Sequence, residues 1–414
     1  MLKPLRFYIT LMYNSNFCFI VIKSVSCKDD YIKITKRVVM KKMRKNLFSL
    51  ISQVQSKVML FGIIICSSFF VFTQLVYGFE DIGAKIEAIA KKAHSAGLKP
   101  VSEGAELATL QKGMFDKKSD FSFSEAQLEL GKILYFDPRL SNDGMRSCNT
   151  CHNIAMQGTS TLDKSQNNPY HLNVPTIYNM LFNDAAYYKG QIKRHDKLDT
   201  NTSKFLSKNI TARATLHALK ADNEMKGDMQ KIIQGITNSK EYMRYFIRAY
   251  GTKVKVDENL IAQTLAGFIM SLNVVTRFDD FLNGNLKALS ISEAEGLDMF
   301  IEKGCVTCHN GVNLGGTMQP FEVIGRYKFS DLGKFGTDSN KMLKVPTLRN
   351  ITATAPYFHN GGFSNLDDAI KEMGRIQIGI NLSNKDIAKI IEFLESLSGE
   401  IRPITIPTLP RASF

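Results

Sequence analysis

The 414-residue sequence has no tryptophan, only 7 cysteines and 7 histidines, and 11 prolines. It also lacks any period-2 apolar alternation long enough for a large sheet, and it has no repeat at solenoid spacing. Those absences exclude a large β architecture and a repeat array, and the helical periodicities described below predict a mostly α fold with few or no strands. Acidic residues are scarce overall, 39 against 53 Lys+Arg, for a formal charge of +14. The shortage is local: residues 1–78 hold 12 basic and 2 acidic residues, leaving 41 against 37 in residues 79–414. A surplus that small does not argue for a polyanion, so no nucleic-acid partner is expected. With 44% apolar and 22% charged residues, the chain is neither a polytopic membrane protein nor a mostly disordered one. Its length allows two or three domains.

The basic N-terminal segment contains Lys41, Lys42, Arg44 and Lys45, an apolar run from Val58 to Val76, and Val76-Tyr77-Gly78. Positive flank, apolar core and small residues before a cleavage point are the parts of a secretory signal, which predicts export to the periplasm. The run is also close to spanning length, so a membrane-anchored form stays open. Met40 or Met43 fits the start of such a signal better than Met1 does.

Three of the cysteines, Cys18, Cys27 and Cys66, precede the expected cleavage. The other four form Cys148-Asn149-Thr150-Cys151-His152 and Cys305-Val306-Thr307-Cys308-His309. C-x-x-C-H is the pattern that attaches c-type haem: two thiols a helical turn apart add to the two vinyl groups, and the adjoining histidine ligates the iron. At this cysteine and histidine content, chance supplies only about 0.002 copies in the whole chain. Zinc would require all four thiolates to converge, yet 153 residues separate the pairs, against roughly 15–20 in a zinc ribbon. Two covalently bound haems are therefore expected, with His152 and His309 as iron ligands.

Helical periodicity surrounds these units. Glu125 to Leu134 has helical apolar spacing and leads toward the first. Asp257 can cap a helix whose Leu260, Ile261, Leu265, Phe268, Ile269 and Leu272 share a face. Ser383-Asn384-Lys385-Asp386 reads as a capping signal before Ile387, Ile390, Ile391, Leu394 and Leu397, with Gly399 as the expected stop. The division expected is an N-terminal extension over 1–78, an N-terminal haem domain over 79–272 joined by the tail 399–414, and a C-terminal haem domain over 273–398.

Several motifs resemble the bacterial dihaem cytochrome c peroxidases, a family that includes the MauG-type enzymes. They are Leu130 to Ser141 before the first haem, Asn173-Val174-Pro175-Thr176 after it, and Arg277-Phe278-Asp279 ahead of Gly304-Cys305. Gly315-Gly316, Val345 to Asn350 and Thr354-Ala355-Pro356-Tyr357-Phe358-His359 complete the set, so the likeness covers about residues 100–414. It implies reduction of hydrogen peroxide to water, with electrons from a small cytochrome c or cupredoxin; a homodimer stays open. The matching positions imply Met373 as the second axial ligand of the His309 haem and Glu224 as the acid–base group at the His152 haem, where peroxide reacts. Met/His ligation raises a haem's potential, so the His309 haem is the expected entry point for electrons. MauG-type enzymes would be expected to carry Tyr where Met373 stands.

The likeness further implies a calcium ion held by Asn173, Thr354 and Pro356, whose oxygen donors suit a hard cation. His359 resembles a motif residue near the haems and could bond a propionate. The family's Phe-Trp-Asp-Gly-Arg segment reads here Tyr187-Tyr188-Lys189-Gly190-Gln191, so Tyr188 replaces the aromatic between the haems, as an electron relay or a space filler. The loop after His152 is short, and His171 is the nearby candidate for a displaceable distal ligand or is simply a loop histidine. A dihaem electron carrier without peroxidase activity and a MauG-like oxidant of a protein partner are the alternative functions.

Overall fold

A computed structural model of the chain describes residues 9–14, 17–22, 82–101, 123–160, 172–194, 196, 206, 209–326 and 337–412. Two compact units divide it, 1–79 and 80–414. In the first, strands β1 (Ile9–Asn14) and β2 (Phe17–Ile22) pair antiparallel, with Ile9 opposite Ile22. The apolar run 58–76 lies outside the described residues, among which no helix is long and apolar enough to cross a membrane.

The second unit is helical, as its periodicities require, and among the described residues it has two two-stranded pairs, Ala185–Ala186 (β3) with Ile192–Lys193 (β4) and Met318–Pro320 (β5) with Met342–Lys344 (β6). Helix α1 spans 82–95, α2 Glu125–Phe136, α3 Cys148–Cys151 and α4 Ile210–Lys220. Then follow α5 (Met229–Asn238), α6 (Lys240–Tyr250), α7 (Glu258–Met270) and α8 (Arg277–Leu282). Helices α9 (Ile291–Glu302), α10 (Leu366–Met373) and α11 (Asn384–Glu395) complete the order.

Local chemistry sets the helix starts. Ser124 and Gln127 form a reciprocal capping box on α2, Asp257 accepts the Leu260 amide at 2.8 Å on α7, and Ser383 with Asp386 caps α11. The stop expected at Gly399 is not one: α11 ends at Glu395, four residues earlier. A Cβ on Gly399 would lie 2.3 Å from Val274 Cγ1 and 2.5 Å from the Val275 carbonyl, so the glycine serves close packing of the outgoing chain.

The two largest buried cores among the described residues are each built on a helix pair that crosses at a glycine. In the first, α2 meets α7 at Gly131, where a Cβ would stand 2.4 Å from the Thr264 carbonyl; Leu130, Ile133, Tyr135, Ile261, Leu265 and Phe268 are buried around it. Cys148 packs against this core, and so do Ile401, Ile404, Leu409 and Ala412 of the tail. Arg139 fastens that tail by donating to the carbonyls of Pro410 (2.9 Å) and Ala412 (3.1 Å). In the second, α9 meets α11 at Gly296, with Phe278, Phe281, Leu297, Phe300, Ile390 and Phe393 buried, and Cys305 and Val306 packed against them. Ile89, Ala90, Ala93 and Leu98 belong to this second core, so α1 packs with residues of the C-terminal half although it precedes the first C-x-x-C-H unit.

A buried ion pair ties the motifs of the second half together. Arg349 donates from Nη1 and Nη2 to Asp279 at 2.8 and 2.7 Å, and Asp279 also accepts the amides of Val101 and Thr276. Burial alone would raise the Asp279 carboxyl, but Arg349 and these donors hold it below the ordinary value. A Gly296→Ala substitution should cost about 1–3 kcal/mol, because its methyl would overlap the Lys389 carbonyl, 2.0 Å away, at the tightest point of the α9–α11 crossing. Denaturant unfolding of the variant should show a lower midpoint with an unchanged slope.

Candidate active site

The first C-x-x-C-H unit lies on α3, a single turn started by Ser147 and Thr150, whose hydroxyl accepts the Ser147 amide at 3.0 Å. One turn brings Cys148 and Cys151 to the same face, and His152 leaves the helix at φ −104°, ψ 66°. Its ring Nδ1 lies 3.2 Å from the Gly158 carbonyl and 3.1 Å from that of Pro175, while Tyr135 donates to the His152 carbonyl. The second unit repeats the logic on a 3₁₀ turn over Cys305–Thr307: the His309 amide donates to the Cys305 carbonyl at 3.0 Å, and Nδ1 lies 3.0 Å from the Leu314 carbonyl. Burial pushes both imidazoles below their ordinary pKa, so they are neutral, with Nδ1–H donated to backbone oxygen and Nε2 left as the metal-facing atom.

That donor set fits c-type haem at both places: adjacent thiols, none in a disulfide, and a tautomer-fixed histidine directly after. Among the described residues no three His, Cys, Asp or Glu side chains converge on a point, so the thiol pairs do not build one shared metal site.

The two units differ in their electrostatic surroundings. At the first, burial together with the negative charges of Cys151 and Glu224 pushes the Cys148 thiol up to about 12. Glu224 acts on Cys151 as well. At the second, burial together with the charge of Cys308 pushes Cys305 up to about 11, and no carboxylate among the described residues contributes. Glu224 sits on the turn after α4, half-buried; burial raises its pKa, and the nearby Tyr187 hydroxyl pulls the other way. Sequence reasoning assigned no role to Tyr187. Its backbone is left-handed (φ 65°), its ring stands edge-on to His217 at 5.0 Å, and its hydroxyl lies 3.2 Å from the Ala214 carbonyl. Both neighbours come from α4, which no local pattern in the sequence connects to Tyr187.

Tyr188 turns to different partners. Buried, it donates to the Asn173 carbonyl at 3.1 Å, and its ring stands edge-on to His359 at 6.3 Å. Lys344 lies over the same ring, its ammonium 5.8 Å from the centroid. His359 is buried, which lowers its pKa to about 3 and keeps it neutral. Asn173 and Pro356, two of the three residues expected at calcium, do meet: Asn173 Nδ2 donates to the Pro356 carbonyl at 2.6 Å, and Asn173 Oδ1 is buried without a partner. Thr354 Oγ1 turns back to the Ile351 carbonyl at 3.3 Å. His171 lies outside the described residues.

Met373 is the last residue of α10, in one stripe with Leu366 and Ile370, which pack on the core that carries Cys305. A π-helical turn over Gly374–Ile378 follows and ends at Gly379 in the left-handed region (φ 74°). Such turns are frequent at functional sites.

The di-haem cytochrome c peroxidase family model matches residues 125–287, and the cytochrome c model matches residues 293–398. The cytochrome c551 peroxidase of Nitrosomonas europaea is 33% identical over 294 residues, covering 68% of this chain and 83% of the relative. That of Pseudomonas aeruginosa is 34% identical over 306 residues, covering 70% and 84%. The chain belongs to the di-haem cytochrome c peroxidase family. It is also 27% identical over 305 residues to the methylamine utilization protein MauG of Methylorubrum extorquens, covering 69% of this chain and 81% of the relative. In fold it resembles a MauG-like protein associated with microbial copper homeostasis, with a TM-score of 0.55 at 21% identity over 68% of this chain and 91% of that one. As a member of this family the chain is a dihaem c-type peroxidase: an oxidoreductase with two c-type haems, peroxide as substrate and a small redox protein as electron donor.

Proposed function

We propose that hydrogen peroxide is reduced at the haem attached by Cys148, Cys151 and His152, with Glu224 as the acid–base group. His309 and Met373 would hold the second haem, which would accept electrons from a small soluble cytochrome c or cupredoxin. The observation that carries this assignment is the asymmetry of the two units: the charge of half-buried Glu224 reaches Cys148 and Cys151, and that of no described carboxylate reaches Cys305. When bound, the haems supply the iron that takes up peroxide and electrons. Hydrogen peroxide accepts two electrons and two protons and leaves as two waters. Glu224 removes a proton from the oxygen that stays and returns one to the oxygen that departs, the work general acid–base catalysis does at an O–O bond. Its raised pKa suits both directions of transfer.

Tyr188, buried against Asn173, His359 and Lys344, is proposed as the aromatic through which the two sites communicate. The orphaned Asn173 Oδ1, with Thr354 and the Pro356 carbonyl nearby in sequence motif, supports one calcium ion at that junction. The basic flank and apolar run before Gly78 support a periplasmic enzyme, exported with its signal cleaved or retained as an anchor.

Two covalent haems per mature chain are expected after acid extraction; retention of a single haem would sink the dihaem assignment. Steady-state peroxide consumption with reduced cytochrome c or cupredoxin then tests the activity. Protein that titrates with two potentials yet never consumes peroxide, even half-reduced, is an electron carrier.

A further inference from the structure

Three described cations are under 9% exposed: Arg213, Lys344 and Arg349. Arg349 is paired with Asp279 at 2.7 Å and Arg213 with Asp196 at 3.2 Å. Lys344, 6% exposed, has no carboxylate within 4.0 Å of Nζ and no hydrogen-bond acceptor for it among the described residues. A buried ammonium without an anion is an expensive arrangement, tolerated where a ligand brings the missing charge.

The fold fixes this side chain in place. Lys344 ends β6, opposite Met318 of β5, and its amide donates to the Tyr188 carbonyl at 2.8 Å. Its ammonium lies over the Tyr188 ring, and Tyr188 in turn bonds the Asn173 carbonyl in the segment after the first C-x-x-C-H unit. The charge of Lys344 acts on His152; no such influence reaches His309. The cofactor this family attaches at His152 carries two propionate carboxylates, the class of anion that matches a single buried ammonium.

We propose that Lys344 is the internal counter-ion of a propionate of the His152 haem, and that its positive charge holds that haem at a higher potential than it would otherwise have. This rests on the assignment of a haem to His152. A cation beside the cofactor favours the ferrous over the ferric state, because reduction removes one positive charge from the iron. The same ammonium lies on the ring proposed to connect the two haems, so one residue sets both the charge and the packing at that seam.

The experiment is a spectroelectrochemical titration of holoprotein, wild type beside Lys344→Met and Lys344→Arg, with haem per chain measured for each. Lys344→Met should keep two haems and lower the ferrous-to-ferric ratio of the His152 haem at fixed solution potential by tenfold or more, which is 59 mV for a one-electron couple. The His309 haem should shift by less, and Lys344→Arg should recover most of the difference. Infrared redox-difference spectra should show the propionate carboxylate band moving in Lys344→Met. Should Met prevent maturation, Lys344→Gln reads the same loss of charge. A variant with two haems and an unmoved His152 potential, or a shift confined to the His309 haem, overturns the proposal. A wild-type protein lacking haem at His152 instead overturns the site assignment beneath it.

Discussion

Glu224→Gln lowers steady-state peroxide reduction by about 10²-fold or more while both haems still reduce at their wild-type potentials. The amide keeps the size of the side chain but cannot accept a proton from peroxide. Burial places the Glu224 carboxyl above its ordinary value of 4.5. Wild-type kcat/KM should therefore rise with pH along an acid limb set by that raised value, as the base form becomes populated. The variant should lose this limb and retain only a slow, flat background. A stopped-flow measurement of peroxide binding, run beside turnover and the redox titration, separates a lost proton acceptor from a disturbed haem. Unchanged turnover in Glu224→Gln would remove Glu224 from the mechanism.

Met373→His should lower the potential of the His309 haem by on the order of 100 mV or more, because thioether ligation stabilises ferrous iron relative to a second imidazole. Each tenfold change in the ferrous-to-ferric ratio is about 59 mV for one electron, so the fraction loaded by a donor of fixed potential falls steeply. The thioether-to-iron charge-transfer band should vanish with it, whereas the His152 haem should titrate as before. Peroxide turnover would then be limited by electron entry and should recover when a stronger reductant replaces the protein donor. An unaltered titration would mean that Met373 only completes the apolar stripe of Leu366 and Ile370.

Much of this was legible in the chain because the signals are local. The C-x-x-C-H spacing encodes haem attachment within five residues, and Ser124, Asp257 and Ser383 start their helices through side chains that reach amides three residues on. Other features depended on residues far apart in sequence. Gly399 looks like a helix stop but is small because Val274 and Val275 pass beside it. Helix α1 precedes the first haem unit, yet Ala93 and Leu98 are buried in the second core, since an apolar helix face packs wherever a complementary face is available.

The sequence by itself determined two haem attachment points, a mostly helical chain and the family to which its motifs belong. Each of these is fixed by residue type at short spacing, where covalent chemistry, capping and helical periodicity act within a turn or two. Only the tertiary structure decided that the charge of Glu224 reaches the first thiol pair, that the Tyr187 hydroxyl lies near that carboxylate, and that Lys344 is buried without an anion among the described residues. Burial and charge proximity are sums over long-range packing. A lysine or glutamate reads as solvated in the sequence until the fold removes the water around it.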